Sequence, residues 1–199
     1  PAVRVRSSPR RTQPQGPGVP AARGLSGAAP RDPGNARQHP HRRNIFARYN
    51  HYQQRRQQIE HYFDRTAADV WARLTSDEPV SGIRETVREG RETMRNTLLS
   101  WLPDDLKGCQ VLDAGCGTGV ISIELAKRGA EVIAVDLSQS LIDLANERYS
   151  TMDEYHRIQF IVGDMRQLEG ERFDHVLAMD SIIHYAAQDG LRTLETLAD

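Results

Sequence analysis

Residues 110–136 constrain the fold more tightly than any other part of the chain. An apolar run at Gln110–Asp113 ends on an acid, the turn Asp113-Ala114-Gly115-Cys116-Gly117-Thr118-Gly119 follows, a helical stretch runs from Gly119 to Arg128, and Gly129 precedes a second apolar run at Glu131–Asp136. Strand, glycine-rich turn, helix and parallel strand form a right-handed crossover unit, in which the turn brings backbone close to a ligand beside a helix N-terminus. The glycines remove side chains from that contact surface.

The alternation continues downstream. Leu141, Ile142, Leu144 and Ala145 predict a helix from Gln139 to Arg148, with strands at Ile158–Val162 and Phe173–Met179 and a last helix from about Gln188 carrying Leu191, Leu194 and Leu197. Short strands separated by helices predict an α/β fold with a doubly wound, mostly parallel sheet of the Rossmann-like type, of which residues 109–199 supply the first four strands. Four strands with a final helix still running read as part of a longer sheet, one edge of which lacks its neighbour.

The rest of the chain divides in two. Residues 1–43 hold eight of the ten prolines among Gly, Ala and Arg, with almost nothing that could form a buried face, and predict a disordered extension. Residues 44–108 predict a helical arm. One helix passes through Ile59, Tyr62, Phe63, Val70, Trp71 and Leu74 to a break at Ser76-Asp77-Glu78-Pro79, and a second carries Ile83, Val87, Met94, Leu98 and Leu102 until Pro103 ends it. That stripe is expected to be core, and the intervening Arg84, Glu85, Arg88, Glu89, Arg91 and Glu92 a solvated face.

Charge excludes some partners. The overall net charge of −1 hides twelve Arg against one acid in residues 1–58 and fourteen basic against twenty-six acidic residues from 59 onward. A domain near −12 repels a phosphate backbone, so no nucleic-acid partner is expected. Cys109 and Cys116 and the scattered histidines have no ligand spacing, so no protein-bound metal is expected. Two cysteines without support for a disulfide fit a reducing, cytoplasmic setting, and because no apolar run approaches the length of a membrane span, a protein without a transmembrane segment, at most peripheral to a membrane, is expected.

The chemistry gathers at the carboxyl edge of the sheet. Asp136 ends the second strand twenty-one residues after Gly115, where a carboxylate can accept hydrogen bonds from both hydroxyls of a ribose. A dinucleotide would call for Gly-x-Gly-x-x-Gly, whereas here Gly falls at 119 and Val at 120; Gly-x-Gly-x-Gly favours S-adenosylmethionine. The expected cofactor set is Asp113, Gly115, Gly117, Gly119, Asp136, Leu137, Asp164, Met165 and Asp180. Asp164 would take the adenine amino group with Met165 against the ring, or else belong only to a Gly-Asp turn. Asp180 through Tyr185 emerge over the crevice, and His184 is either a base or donor toward an acceptor, or a partly buried side chain already satisfied.

With these residues assembled, the chain resembles the class I methyltransferases, and from Ile59 onward the magnesium-protoporphyrin IX methyltransferases of chlorophyll and bacteriochlorophyll biosynthesis. The likeness lies in Gln58-Ile59-Glu60-His61-Tyr62-Phe63-Asp64-Arg65-Thr66-Ala67, in Val87-Arg88-Glu89-Gly90-Arg91-Glu92-Thr93-Met94 and in Met179-Asp180-Ser181-Ile182-Ile183-His184-Tyr185. The resemblance implies methyl transfer from S-adenosylmethionine to a propionate carboxylate of Mg-protoporphyrin IX, whose magnesium belongs to the substrate. It also implies that Tyr62 and His184 serve the reaction. Contact with the magnesium chelatase, and peripheral association with the photosynthetic membrane, are implied by the family alone. The arm is then either a lid over the macrocycle or a packing appendage. Another small-molecule methyltransferase, a nicotinamide-dependent oxidoreductase and an inactive fragment remain the rival readings.

Overall fold

A computed structural model describes residues 40–76, 82–168 and 171–198. Residues 1–39 of the expected disordered extension and the acidic break at 77–81 lie outside them. The first helix, α1, runs Pro40–Tyr62, so residues 40–43 extend the arm rather than the disordered segment. Proline suits the first turn of a helix because it has no N–H there to leave unpaired. A single π-turn at Phe63–Ala67 leads into α2 (Ala68–Leu74), and α3 spans Ile83–Ser100.

The sheet follows the expected alternation: β1 (Gln110–Ala114), α4 (Val120–Lys127), β2 (Glu131–Asp136), α5 (Gln139–Tyr149), β3 (Ile158–Val162), β4 (His175–Leu177) and α6 (Ala187–Ala198). All pairings are parallel, in the order β3-β2-β1-β4, with Asp113 opposite Ala134 on one side and Leu177 on the other. The chain reverses its direction of travel across the sheet between β1 and β4, which places the ligand crevice above the carboxyl ends of those strands.

β1 is central and buried on both faces, as its apolar sequence requires. Val111, Val132 and Ala134 join Ile121, Ile123 and Leu125 of α4 and Leu98 and Leu99 of α3 in one core cluster. Leu112, Ala114 and Val135 belong to a second cluster with Met165, Tyr185 and, from the arm, Tyr52 and Ile59. Those two arm residues are seven apart, so both fall on one stripe of α1.

Two expectations need correction. The strand predicted at Phe173–Met179 pairs only over His175–Leu177, because among the described residues β4 pairs with β1 alone and the chain leaves the ladder to reach Asp180, whose φ is 58°. The apolar stripe of α3 is core only at its C-terminal end, where Leu98 is buried; Ile83, Val87 and Met94 are exposed, the first by 85%. Arg88, Arg91 and Arg95 line the cleft at the sheet edge instead, while Arg84, Glu85 and Glu89 are exposed as expected.

Candidate active site

A cleft opens where the carboxyl ends of β1, β2 and β4 meet the arm. Its floor is the glycine turn. Gly115 has φ 80°, and a Cβ there would stand 2.2 Å from the Cβ of Ser181, whose hydroxyl donates to the Ala114 carbonyl at 2.7 Å. Only a hydrogen side chain lets the loop after β4 lie against the loop after β1. Gly117 also lines the cleft, and the space where its Cβ would stand is open. Gly119 serves a different purpose from the one expected. It caps α4 with φ 76°, away from the cleft wall, and a Cβ there would meet the Phe160 ring at 2.8 Å.

Asp136 is held by backbone. Its two oxygens accept from the Gly117 N–H at 2.8 Å and the Ser138 N–H at 2.9 Å. Burial raises its pKa, these N–H donors oppose the rise, and Asp64 nearby adds to it. Asp113 lies deeper, accepting the Ser122 hydroxyl at 2.7 Å. Burial pushes its carboxyl up to about 7, against the Ser122 hydrogen bond and helped by the charge of Asp136. It therefore ties β1 to α4 beneath the loop. Leu137 and Met165 line the cleft beside Asp136, and the Thr118 hydroxyl is buried at its wall with no partner among the described residues. An open glycine cradle, a backbone-fixed carboxylate and an unused hydroxyl suit an adenosine-containing cofactor with polar groups along its length.

Asp164 takes the second of its two expected readings, the turn: its carboxylate accepts the Arg166 N–H at 3.0 Å. It is 5% exposed, and the Tyr52 hydroxyl of α1 also donates to it at 2.8 and 2.9 Å. Tyr52 stacks on Tyr185 at 5.8 Å between ring centroids, and the Arg166 guanidinium lies 4.3 Å above its ring. Burial raises the pKa of both phenols, that of Tyr185 to about 12, so both stay protonated.

His184 lines the cleft from the short 3₁₀ turn at Ile182–His184, with its ring edge-on to Phe63 at 5.0 Å. Burial lowers its pKa and Arg55 lowers it further, against the raising effect of Asp180, so the imidazole is neutral near pH 7. Tyr62 is not brought to it. That side chain is 51% exposed, its ring stands edge-on to Phe63, and it is not part of the cleft wall, because the π-turn that follows rotates Phe63 inward in its place.

The arm is seated by polar contacts that the sequence did not signal. Asp64 accepts from the Ser138 hydroxyl at 2.5 Å and the Ser140 N–H at 3.1 Å, capping α5 from outside. Arg148 of α5 donates to the Ala72 and Thr75 carbonyls, and Arg55 donates to the His184 carbonyl at 2.8 Å. Arg91 of α3 bonds to Asp180 and lies 4.1 Å above the Trp71 ring. Asp180, expected on the cofactor, is thus turned toward the arm.

Comparison with known proteins matches this geometry to a family. A methyltransferase-domain family model covers residues 111–199. The chain is 55% identical over 147 residues to the magnesium-protoporphyrin O-methyltransferase of Rhodobacter capsulatus, covering 73% of this chain and 65% of that relative. It is 32% identical over 143 residues to the protein of the same name from Synechocystis, covering 70% of this chain and 62% of the relative. The crystal structure of the Synechocystis magnesium protoporphyrin IX methyltransferase with bound SAM superposes with a TM-score of 0.67 at 30% identity, covering 72% of this chain and 70% of that one. The chain thus spans a little under two thirds of the length of these curated relatives.

Proposed function

Because the chain belongs to the magnesium-protoporphyrin O-methyltransferase family, we propose that the protein transfers a methyl group from S-adenosylmethionine to a propionate carboxylate of Mg-protoporphyrin IX, giving the monomethyl ester and S-adenosylhomocysteine. The observation that carries this reading is the single cleft in which Asp136 and the glycine turn face His184 and the arginines of α3.

Asp136 would hold the ribose hydroxyls, with Leu137 and Met165 flanking the base and the Gly115–Thr118 turn taking the amino-acid end. The bound cofactor supplies an electrophilic methyl on a positive sulfur, whose bond electrons return to sulfur as the new carbon–oxygen bond forms. No proton has to be removed, because a carboxylic acid is ionised near neutral pH. The protein's work is then alignment and exclusion of water. Neutral His184 can donate one hydrogen bond to the acceptor carboxylate without withdrawing a full charge from it, and Phe63 fixes the plane of its ring.

Among the described residues no helix is long and apolar enough to cross a membrane. Kinship with the family supports a cytoplasmic protein that meets its porphyrin at the magnesium chelatase or at a membrane surface, and co-sedimentation with chelatase and with lipid vesicles tests each association.

Calorimetric titration of the intact protein with S-adenosylhomocysteine and then Mg-protoporphyrin IX, together with transfer of a labelled methyl, tests the reaction. Binding of both and a labelled monoester are expected. Cofactor binding without porphyrin binding would keep a methyltransferase, of another small molecule, and discard this substrate.

A further inference from the structure

We propose that Arg91 is the anchor for a second, non-reacting carboxylate of the acceptor, so that the cleft selects a dicarboxylic acceptor and offers only one of its carboxylates to the methyl group. This rests on the reading above.

Arg88, Arg91 and Arg95 are three and four residues apart on α3, which puts them on one face, and all three line the cleft opposite the acids of the sheet edge. Arg88 donates to the Arg73 carbonyl and Arg95 pairs with Glu92, whereas Arg91 is stacked on Trp71 and bonded to the cleft carboxylate of Asp180, with both partners of that ion pair about three-quarters or more buried (21% and 23% exposed). An arginine intended for solvent is not stacked and paired in this way. Its present partner shows what it binds: a carboxylate, delivered by a residue outside regular strand geometry, at φ 58°. Both members of the pair line the cleft and keep part of their surface open to it, so an incoming carboxylate reaches the same guanidinium that Asp180 now holds. The planar guanidinium carries five N–H donors and engages a carboxylate through two of them at once, which suits an incoming propionate.

Arg91 cannot hold the reacting carboxylate, since a full positive charge on those oxygens would weaken the nucleophile. His184, neutral and on the same cleft wall, suits that group, and Asp180 stands within electrostatic reach of both. The two propionates of a protoporphyrin leave the same edge of the macrocycle from neighbouring rings, so one can lie on Arg91 while the other reaches His184. The arrangement also accounts for a single esterification. Turning the monoester around would place an uncharged ester on Arg91, and the second methylation would lose its anchor.

The test compares Mg-protoporphyrin IX with its dimethyl ester in the intact protein, by fluorescence titration, in wild type, Arg91→Gln and Arg91→Lys, with S-adenosylhomocysteine affinity as the control for folding. Wild type is expected to prefer the diacid by about tenfold or more, Arg91→Gln to bring the two porphyrins within about threefold, and Arg91→Lys to fall between, because lysine keeps the charge and loses the fork. Arg91→Gln should also raise the proportion of diester formed on long incubation. Equal wild-type affinity for diacid and diester, or equal weakening of both by Arg91→Gln, overturns the anchor and leaves a purely structural latch. Failure of the wild type to bind either porphyrin while it binds S-adenosylhomocysteine overturns the substrate reading instead. Should Arg91→Gln lose cofactor binding through misfolding, the wild-type ratio and the Arg91→Lys protein decide the matter.

Discussion

The sheet and the arm meet across one cleft, yet they are held together by different physics. From β1 to α5 the chain closes on itself with apolar side chains, Leu112 and Leu125 fully buried among them, and lines its side of the cleft with the glycine turn and the backbone-held Asp136. The arm inserts Tyr52 and Ile59 into that core, and otherwise rests on hydrogen bonds and ion pairs: Asp64 on the start of α5, Tyr52 on Asp164, Arg91 on Asp180 and Arg148 on the end of α2. Burial of apolar area is non-directional and insensitive to salt, whereas a polar latch depends on its particular partner and costs most when one side is removed and the other left unpaired. The sheet side of the cleft is therefore built in, and the arm side, on the reading proposed above, is the one an acceptor would rearrange.

Substitutions should divide along the same line. Gly115→Ala is expected to have the largest effect, because the new Cβ collides with Ser181 at 2.2 Å on a backbone with φ 80°. Strain and overpacking together cost about 3 kcal/mol, seen as a lowered melting temperature and lost S-adenosylhomocysteine binding. A protein that melts as wild type and binds the cofactor would show the loop to be looser than the sheet it belongs to.

The pH dependence of the sheet should follow Asp113. Its folded pKa of about 7 stands above the ordinary value of 3.8, so the folded state keeps a proton that the unfolded chain has lost. Stability from this group is present at low pH and disappears as pH rises from about 4 to 7, by on the order of 4 kcal/mol at most. Asp113→Asn cannot titrate, and the stability of wild type relative to this variant is expected to fall across that window in denaturant melts at each pH. A constant difference would place the carboxylate in a wetter setting.

The sheet was legible because its signals are local. An apolar run, a glycine turn and an acid such as Asp136 all lie within about thirty residues and dictate one crossover. The packing role of Gly119 has no local signal, because the Phe160 ring it makes room for is forty-one residues away. In the arm the pattern misled. Periodicity marks Ile83, Val87 and Met94 as core, and the structure leaves all three exposed; of the charged residues between them Arg84, Glu85 and Glu89 are solvated as expected, whereas Arg88 and Arg91 line the cleft. Amphipathicity identifies two faces of a helix without saying which one meets a polar cleft. Asp64, Tyr52 and Arg148 had no signal, since each acts on a partner more than seventy residues distant. The likeness gives Tyr62 a part in the reaction, and the ring that stands against His184 in this structure is that of its neighbour Phe63.

Loosening the arm should then leave the sheet intact. Asp64→Ala uncovers the start of α5 on the arm side, and the loss of an outside cap costs about 1 kcal/mol. Hydrogen exchange is expected to speed up in α1 and α2 with β1 and β2 unchanged. Uniform acceleration would mean that arm and sheet unfold as one unit.

The finest test of the division is kinetic. His184→Ala removes the neutral donor on the cleft wall, and is expected to lower turnover by about tenfold to a hundredfold while cofactor affinity holds within about twofold, because alignment and not binding is lost. Tyr62→Phe deletes a hydroxyl on a ring that is half exposed and outside the cleft, so stability should change by less than about 0.5 kcal/mol and turnover by less than about twofold. If Tyr62→Phe instead matches His184→Ala, the arm must rotate during the reaction, exchanging Phe63 for Tyr62 beside the histidine. The π-turn at Phe63–Ala67, with one residue more than an α-helical turn, is where such a rotation would be accommodated. The comparison of the two variants thus reads out whether the arm's resting position is also its working one.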